Sequence, residues 1–547
     1  MRILFMTLAL LATLGCQSTP LSYSSLIDKI TNDEQVAIAD LRAAFLESPD
    51  LSSRMQRLSE LEEQAMQLVA DQPLKLGSIG SFILDTYYGS LTGHYVSQRF
   101  YEHVESPEEA ALHKHWLERI FADMKRAGDG SRTHPYPATT PIEAQTFATI
   151  SGLRPVGSIY ETNDAMAFGI LILGRPEKGA IISQHFNVAA LYRAVEQELE
   201  NTETSQIDFN PFTLIGYLAR RGDTAAQASI GAFLASQNRV TEATRWLRAA
   251  SRKGNLLANT ELARLFWQRS RQEDDQELKQ RALDEVLQNY LHAIALGSSD
   301  AMYALGVLYL NKHYGEENQN SGVPLLQQAA DVDHSDAALF LGHLYYGGEQ
   351  VDKDTAKARS YYTKSAELNN PFARRSYARF LLDRTIEQPS DPRAITWLAE
   401  LAKEEDSDAM LLLGNLHARG VSVKQNFRKA FTWFKTAVKT SPENAGIVNE
   451  VAWTLTVSNL DGLKRTRYAL KIMETMMNSD KEAQQRPEYL DTWAAAYAAN
   501  GDFARAITLQ QQAVEAAETG DNDDVLDILR EHLEAFQNGK SITEQAP

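Results

Sequence analysis

A repeat with a fixed period of 36 residues constrains this chain more than any other feature. Four segments share one frame, with Ala at the first position of each: 301–306, 337–342, 373–378 and 409–414. A register kept over four units predicts helical supersecondary units stacked along one dimension. We therefore expect the function to lie in a long binding surface rather than in a catalytic cleft.

Composition and charge narrow the class of protein. The chain has 547 residues, too many for one hydrophobic core, and its 44% apolar and 23% charged residues are typical of foldable globular protein. A formal net charge of −18 repels nucleic acid and anionic membrane surfaces, so neither is an expected general partner. Cys16 is the only cysteine, which argues against disulfide bonds.

The amino terminus has the pattern of a secretory signal. Arg2 precedes an apolar run over 3–14, which is shorter than the roughly 20 apolar residues needed to span a bilayer. The sequence Ala-Thr-Leu-Gly-Cys over 12–16 resembles the bacterial lipobox, in which the cysteine is acylated. The resemblance implies a lipoprotein signal peptide over 1–15, lipidation (palmitate) at Cys16 and a tether over 16–25.

The residue after the cysteine bears on location. Lipoproteins of this kind that carry Asp after the cysteine are kept from the outer membrane. This chain has Gln17 at that position. The resemblance therefore implies the outer membrane of a Gram-negative bacterium and its periplasmic face. Two or three acyl chains would anchor the protein, because each buried CH₂ contributes roughly 0.8 kcal/mol. An ordinary cleaved signal peptide with an incidental cysteine remains the alternative.

Residues 26–210 resemble no family. Their apolar spacing predicts two or three helices over 26–70 and a further pair over 93–103 and 107–126. Glycines in 76–80 lack the following Lys-Ser/Thr of a phosphate-binding loop, so we interpret them as close packing or a turn.

Two apolar, β-branched runs follow in the same region, over 165–173 and 179–186, and flank a short turn. This pattern predicts a β-hairpin. We therefore interpret 26–210 as a separate, mixed and mainly helical region.

From residue 211 each unit divides into two helices. The first carries Leu followed by Gly, as at Leu305, Leu341 and Leu413. The second carries a large residue, at positions spaced 36 apart: 325, 361, 397 and 433. Two helices approach closely where one offers a small residue and the other fills the adjoining space. We therefore expect these large residues to pack beside the repeated Leu-Gly pair.

These units resemble Sel-one-like repeats, a longer-looped relative of the tetratricopeptide repeat. The loops that begin at Tyr346 and Arg419 match that family's Gly-x-Gly-Val-x-x-Asp pattern. The resemblance implies such repeats over 211–440. One unit is irregular, because Ala258 and Ala301 are 43 residues apart.

Toward the carboxyl end the period shortens. The spacing of Leu490, Trp493 and Tyr497 resembles a tetratricopeptide unit, which implies tetratricopeptide-like repeats over 441–520. For the acidic residues 521–547 we expect a capping helix and a loose tail. The expected fold class is an all-α superhelical solenoid of Sel-one-like and tetratricopeptide-like repeats, preceded by a mainly helical region with a small β-hairpin.

In arrays of this kind the first helices line the concave face. Side chains two positions before and after the repeated Leu should then point into a groove, with Tyr346 one turn further along. This rule selects the following residues: Tyr303, Val307, Leu339, His343, Tyr346, Arg375, Arg379, Leu411 and Asn415. Aromatic, cationic and amide groups together suit a peptide or a glycan. The alternative is that these are solvated or lightly packed repeat faces.

Four arginines, at 374, 375, 379 and 384, lie close together in an acidic chain. Because Arg pairs with carboxylate through two hydrogen bonds, one hypothesis is that a carboxylate-bearing partner binds here. Charge reversal at Arg375 and Arg379 is then expected to weaken partner binding with little loss of stability.

Catalysis is not expected. Five histidines lie between His94 and His134, but the sequence has no His-Glu-x-x-His motif and no cysteine pair. Asp129 and Ser131 precede His134 in a loop without a nucleophile-elbow pattern. We therefore predict no catalytic residue, no metal and no cofactor.

The expected function is that of a membrane-anchored periplasmic repeat scaffold, for example in the assembly of a secretion or envelope complex. Expected partners are a protein or peptide and, through the lipid anchor, the membrane; nucleic acid is not expected, and a glycan is a further candidate. One alternative is a periplasmic glycan-binding protein or enzyme with its active unit in 26–210 and the repeats as docking arm. Another is a regulator that senses envelope stress by capturing a peptide.

Overall fold

A computed structural model describes residues 22–163, 166–200, 210–383, 390–519 and 523–544. These residues are mainly helical and include one small β-sheet, which confirms the expected fold class. The chain divides into two compact units, Met1–Leu305 and Gly306–Pro547. Cys16, the signal peptide and Arg384 lie outside the described residues.

Thirteen helices of the described residues lie within the first unit: α1 (Tyr23–Thr31), α2 (Ile38–Leu46), α3 (Leu51–Leu68), α4 (Leu76–Thr86), α5 (Leu91–His103), α6 (Pro107–Ala127), α7 (Pro141–Ile150), α8 (Ala189–Glu200), α9 (Pro211–Arg220), α10 (Thr224–Ser236), α11 (Val240–Ser251), α12 (Leu256–Gln272) and α13 (Gln276–Ala295). The predicted helices over 93–103 and 107–126 are α5 and α6. The glycines of α4 allow close packing, because a Cβ atom at Gly77 would lie 2.7 Å from the Phe100 ring.

The sheet has four strands in the order β1-β4-β3-β2. Its strands are β1 (Tyr136–Pro137), β2 (Arg154–Asn163), β3 (Met166–Arg175) and β4 (Ile182–Asn187). β3 and β4 are antiparallel, with Gly174 opposite Ile182, so the predicted hairpin is confirmed. β2 extends the hairpin by pairing with β3, and the sequence analysis did not predict it.

The sheet and the first helical pairs belong to one unit. The side-chain amide of Asn255, at the start of α12, donates a hydrogen bond to the carbonyl of Ser158 in β2 (2.7 Å). The backbone N–H of Tyr160 donates to the hydroxyl of Ser229 in α10 (2.9 Å). The expected boundary near residue 210 therefore does not coincide with the division between compact units, since β2 packs on helices that lie beyond it.

A buried carboxyl group joins three helices of this unit. Glu62 of α3 is 1% exposed and accepts hydrogen bonds from the hydroxyls of Ser90 (2.8 Å) and Thr140. Those two residues are the N-caps of α5 and α7. Burial and the neighbouring charge of Glu143 raise the pKa of Glu62 to about 8. The carboxyl group therefore connects α3 to two helix N-termini inside the core.

Helix α14 (Ser299–Leu310) crosses the division, and twelve helices of the described residues follow it in the second unit: α15 (Gly322–Asp331), α16 (Ser335–Gly347), α17 (Thr355–Glu367), α18 (Pro371–Leu382), α19 (Arg393–Lys403), α20 (Ser407–Arg419), α21 (Phe427–Thr440), α22 (Ala445–Val457), α23 (Thr466–Ser479), α24 (Pro487–Ala499), α25 (Phe503–Thr519) and α26 (Asp523–Gln537). Helix α16 packs on α17 and α20 packs on α21, while the first helices α18, α20, α22 and α24 pack on one another in turn, which gives a helical repeat solenoid. No helix within the described residues combines the length and apolar character that crossing a bilayer needs.

Glycine on the first helix admits a large side chain from the second. A Cβ atom at Gly342 would lie 2.7 Å from the Tyr362 ring, and one at Gly414 would overlap the Phe434 ring. These rings follow the predicted positions 361 and 433 by one residue, so that prediction is wrong in register. The reason is helical periodicity, because positions 362 and 434 lie four residues after the buried Ala358 and Ala430 and share their face.

Two of the repeat loops close in the same way. Gly348 and Gly420 have positive φ angles of 80° and 70° and end α16 and α20 in the left-handed conformation that favours glycine. One equivalent hydrogen bond of 2.9 Å then closes each loop, from Asp354 N–H to the Tyr345 carbonyl and from Asn426 N–H to the His417 carbonyl. The chain therefore leaves each loop at the same point of the repeat.

The carboxyl end is not loose as far as Glu544, so that expectation is wrong for these residues. Glu544 donates its backbone N–H to the Val457 carbonyl (2.8 Å) and accepts at its own carbonyl from Asn459 N–H (3.0 Å). Its carboxylate accepts a hydrogen bond from the Trp453 indole (3.1 Å). The residues after α26 thus pair with the segment that follows α22.

Candidate binding cavity in the repeats

Three consecutive first helices, α18, α20 and α22, begin in the same manner. In each, the side chain before the first turn accepts a hydrogen bond from the backbone N–H three positions on: Asn370 from Ala373 (3.0 Å), Asp406 from Ala409 (2.8 Å) and Asn444 from Ile447 (3.2 Å). Such caps satisfy N–H groups that the helix itself leaves unpaired. The caps fix where each helix starts and therefore which side chains share a face.

The faces of these helices enclose one cavity of about 560 Å³ within the second unit. Its apolar lining consists of Leu382, Leu411, Leu412, Ile447 and Leu463, with small residues between them. Its polar lining consists of Arg379, Asp383, Asp408, Asn415, Arg419, Asn444, Glu450 and Thr454. A concave apolar floor beside a few polar groups is the usual composition of a binding site.

The structure brings three of the predicted groove residues into this cavity, namely Arg379, Leu411 and Asn415. The other six do not line it. Tyr303 and Val307 lie on α14, Leu339, His343 and Tyr346 on α16, and Arg375 on α18. Whether the nine residues bind a partner stays a prediction.

Two of the residues on α16 have partners within the second unit. The Nδ1 atom of His343 lies 3.0 Å from the Tyr362 hydroxyl. The hydroxyl of Tyr346 donates a hydrogen bond to the Asp383 carboxylate, which raises the pKa of Tyr346 to about 12. These contacts hold the side chains in place along the first helices.

The described arginines of the cluster already have carboxylate partners. Arg375 forms an ion pair with Asp406, and both side chains are largely buried. Arg374 pairs with Glu400 at 3.1 Å. Charge reversal at Arg375 would place a carboxylate against Asp406, whose other oxygen caps α20. The expectation that reversal at Arg375 leaves stability almost unchanged is therefore contradicted.

Arg379 differs from its neighbours. Its side chain is 58% exposed and lies 3.6 Å from the Asp408 carboxylate, which lines the same cavity. An exposed pair of this kind contributes little to stability.

Three polar groups of the cavity have no hydrogen-bond partner among the described residues. The carboxylate of Glu450 and the amide of Asn415 form no hydrogen bond or ion pair there, although both side chains are half-buried. Thr454 is 4% exposed, and its hydroxyl oxygen has no hydrogen-bond partner. Burial raises the pKa of the Glu450 carboxyl, and the nearby Arg379 charge opposes this. Buried polar groups are normally hydrogen-bonded, so the Thr454 hydroxyl is an exception, while Glu450 and Asn415 keep oxygens free to bind a ligand in the cavity.

Sequence reasoning missed Glu450 and Thr454. Extending the groove rule to α22 around Val451 selects positions 449 and 453, one residue away from the side chains that line the cavity. One position corresponds to about 100° around a helix. The rule failed here because the repeat period changes at α22. The positions that face the cavity can therefore not be found by adding 36 to those of the preceding unit.

One residue at the start of α18 breaks the repeat. Three units begin with Ser-Asp-Ala, at 299–301, 335–337 and 407–409, whereas the fourth begins with Pro-Phe-Ala at 371–373. Phe372 is 62% exposed, and the guanidinium of Arg375 lies 4.8 Å from its ring centroid. Its counterpart one unit later is Asp408, which lines the cavity. An exposed aromatic ring therefore occupies a repeat position that elsewhere carries a carboxylate.

The loop with Asp129 and Ser131 is a local hydrogen-bonded turn. The backbone N–H of Ser131 donates to Asp129 (2.8 Å), and the Ser131 hydroxyl accepts from the backbone N–H of His134 (3.1 Å). The imidazole of His134 contacts the Thr133 hydroxyl instead (3.2 Å). This arrangement pairs no nucleophile with a base. Among the described residues no group of three His, Cys, Asp or Glu side chains is placed to hold a metal ion.

The first unit has a cavity of its own, of about 640 Å³. Its walls come from α3, α7, α8, the sheet and the turn between α9 and α10. At the sheet wall the Tyr160 hydroxyl donates to the Asp223 carboxylate (3.1 Å), and burial raises the pKa of Asp223. Arg221 and Lys253 lie on the same lining. This cavity combines apolar walls with charges of both signs.

Comparison with known proteins identifies the repeats. The Sel1 repeat matches residues 299–334, 335–370 and 407–439. The Sel1-repeat-containing protein YjcO of Escherichia coli K12 is 28% identical over 150 residues, which are 27% of this chain and 63% of YjcO. The chain therefore spans less than two thirds of that relative's length. The uncharacterized protein NMB1327 of Neisseria meningitidis is 28% identical over 148 residues, 27% of this chain and 28% of that protein.

Two solved structures are similar at lower identity. A Sel1 repeat protein from Oxalobacter formigenes is 20% identical, covers 46% of this chain and 98% of its own, and has a TM-score of 0.33. The protective antigen c5321 of uropathogenic Escherichia coli, which displays an SLR fold, is 15% identical, covers 89% of this chain and 98% of its own, and has a TM-score of 0.40.

Proposed function

Because the chain carries Sel1 repeats, as its sequence predicts, we propose that it is a protein-binding scaffold of the bacterial envelope, held at the periplasmic face of the outer membrane by acylation of Cys16. Proteins with Sel1 and tetratricopeptide-like repeats generally mediate protein–protein interactions, and Sel1 scaffolds are typically not enzymes. In this proposal the chain gathers partners, for example in a secretion or envelope complex, and performs no chemistry.

The observation that carries the proposal is the cavity shared by α18, α20 and α22. Consecutive first helices each contribute one stripe of side chains, so a partner segment lying across them contacts several units at once. Arg379, Leu411 and Asn415 provide a charge, an apolar side chain and an amide along that line. A surface of this kind suits an extended polypeptide better than a compact metabolite.

The proposed anchor would keep the body close to the membrane. Six residues lie between Cys16 and Tyr23, where α1 begins, and an extended chain over those seven steps reaches at most about 25 Å. Tyr23 is fixed to the first unit, because its hydroxyl accepts a hydrogen bond from Tyr88 N–H (2.9 Å). The first unit would therefore stay within a few tens of ångströms of the bilayer.

Photocrosslinking in intact cells tests the binding surface. We expect a benzoylphenylalanine at position 372, a conservative change from an exposed Phe, to capture one or a few envelope proteins. The matched control is position 435 on α21, where Lys435 is also exposed but belongs to a second helix. Equal capture at both positions would refute a groove-specific scaffold.

Cell fractionation tests the anchor separately. The full-length Cys16→Ser variant should move from the membrane fraction to the soluble periplasmic fraction, because it cannot be acylated. A variant that stays with the membrane would remove the anchor from the proposal while leaving the binding surface untouched.

The cavity of the first unit favours a second function, the binding of a glycan or another small polar ligand. Its volume of about 640 Å³ and its mixture of apolar walls with Tyr160, Asp223, Arg221 and Lys253 suit a ligand of that kind. Soluble peptidoglycan fragments should then raise the melting temperature of the full chain. Gln145→Ala, which removes a half-buried amide from the lining, should reduce the shift. No shift with any fragment would exclude these glycans as ligands.

A further inference from the structure

We infer that the cavity between α18, α20 and α22 receives a lysine side chain of a protein partner, with the ammonium group at Glu450 and the aliphatic stem on the leucine and isoleucine floor. This inference rests on the proposed scaffold function and names the chemistry of the partner. It reverses the charge expected from the arginine cluster, for which a carboxylate-bearing partner was the hypothesis.

The first argument is the set of unpaired acceptors. Glu450 and Asn415 line one cavity, are half-buried and form no hydrogen bond among the described residues. Thr454 lines it too, and its hydroxyl oxygen is buried without a hydrogen-bond partner there. An ammonium group has three N–H donors and no acceptor, so it can donate to the Glu450 carboxylate and to the Asn415 carbonyl oxygen. A carboxylate from a partner would supply acceptors only and would meet Glu450 as a like charge.

The second argument is that the arginines already form ion pairs with carboxylates of the same unit. A partner carboxylate would have to compete with Asp406 for Arg375 and with Asp408 for Arg379. Glu450, in contrast, forms no hydrogen bond or ion pair among the described residues, although the charge of Arg379 acts on it. Within the cavity lining the carboxylates of Asp383, Asp408 and Glu450 outnumber the guanidinium groups of Arg379 and Arg419 by three to two, and the whole chain has a formal charge of −18.

The third argument is the shape of the lining. Leu411, Ile447 and Leu463 form an apolar floor beside the acceptors. A lysine side chain buries its methylene stem along such a surface while its charged end reaches a polar site. Lysine fits better than arginine, because its compact ammonium needs no planar carboxylate aligned for two parallel bonds. The volume of about 560 Å³ also accommodates the main chain on either side of the lysine.

Carbodiimide coupling tests the inference directly. The reagent joins a carboxylate to a neighbouring amine with loss of water, so it links Glu450 to lysine only when the two groups are in contact. Membranes that contain the full-length protein are treated, and the linked peptides are mapped by mass spectrometry. We expect a partner lysine joined to Glu450, and no such product from Glu450→Gln.

Glu450→Gln also gives a quantitative readout. We expect at least about a tenfold loss of partner capture, the ordinary size of a lost charge-assisted hydrogen bond. The melting temperature should change little, because the cost of half-burying the Glu450 charge offsets its attraction to the nearby Arg379 charge. Glu443→Gln is the matched control. Glu443 is exposed, lies seven residues before Glu450 in the sequence and does not line the cavity.

The outcomes separate this inference from the function on which it rests. Capture at position 372 without a lysine linked to Glu450 would overturn the lysine inference and leave the scaffold intact. A Glu450→Gln variant that melts well below the parent protein would show that Glu450 has a structural partner, which also overturns it. Loss of capture at position 372 in the parent protein would overturn the scaffold itself.

Discussion

One carboxyl group in each compact unit has different surroundings. In the first unit the buried Glu62 is bonded to the hydroxyls that cap α5 and α7. In the second unit the half-buried Glu450 lines a cavity with the Arg379 charge nearby, among repeat helices that pack glycine against large side chains. A carboxyl group bonded to protein donors holds helices in one arrangement, whereas one that lines a cavity can bind a ligand. The contrast favours the cavity of the second unit as a candidate site for a partner.

The largest expected effect tests whether packing of glycine against large side chains stabilises the second unit. Gly414→Ala should destabilise the unit by about 3 kcal/mol, because the added methyl group overlaps the Phe434 ring in a filled interior. Thermal unfolding and hydrogen exchange of α20 and α21 measure the loss.

Gly347→Ala is the matched control, since no atom lies within 4 Å of its added Cβ, and it should be neutral or slightly stabilising. Phe434→Leu should restore part of the stability of Gly414→Ala. Equal effects of the two alanine substitutions would contradict packing as the cause.

The first unit is tested through pH. The raised pKa of Glu62, about 8 against 4.5 for the free side chain, means that the folded state prefers the protonated group. This contribution to stability is fully present below pH 4.5 and is lost as pH rises toward 8. Between pH 5 and 7 the free energy of unfolding should fall by about 2 kcal/mol on account of this residue.

Glu62→Gln should remove that fall, whereas Glu60→Gln, an exposed neighbour on the same helix, should keep it. Denaturant unfolding at a series of pH values makes the comparison. An unchanged slope in Glu62→Gln would show that the carboxyl group is not held protonated in the core.

A smaller effect distinguishes the buried ion pair of Arg375 in the second unit from the exposed ion pair of Arg379. Arg375→Glu should cost about 2 kcal/mol, because it places like charges together in a largely buried pair with Asp406 and disturbs the cap of α20. Arg379→Glu should cost roughly 0.5 kcal/mol or less, since that pair is exposed. Thermal unfolding of the two variants measures both losses of stability. A larger loss for Arg379→Glu than for Arg375→Glu would contradict the structural role of the Arg375 pair.

The smallest expected effect concerns the carboxyl end. Glu544→Ala removes the hydrogen bond from the Trp453 indole and should cost about 1 kcal/mol locally, while the two backbone bonds remain. Hydrogen exchange at Asn459 should become faster. Lys540→Ala, an exposed neighbour, should leave it unchanged, and a slower exchange in Glu544→Ala would speak against the pairing.

Local periodicity predicted much of the fold. The 36-residue frame located the first and second helices of the central units, and apolar runs with a short turn located β3 and β4. The helix boundaries of α5 and α6 followed from their flanking turns and proline. In each case residues near one another in sequence determine the structure.

The remaining features depend on contacts that are distant in sequence. β2 exists because it pairs with β3 and packs on α10 and α12, about 70 to 100 residues away, as the bonds from Tyr160 to Ser229 and from Asn255 to Ser158 show. The cavity residues on α22 were missed by one position, because the rotation of that helix is set by packing after the period changes. Unpaired groups such as Thr454 cannot be recognised without the positions of all their neighbours.

The loops that end at Asp354 and Asn426 have a consequence for how this surface can change. Both close with the same hydrogen bond, at points 72 residues apart, which is two repeat lengths. A segment cut at these points carries its groove face and its glycine contact together. Duplicating or exchanging one segment would therefore change the order of the side chains along the groove. Each new junction would still join two units at the equivalent loop position. We therefore expect exchange of whole units to vary the groove face while the helix contacts are kept.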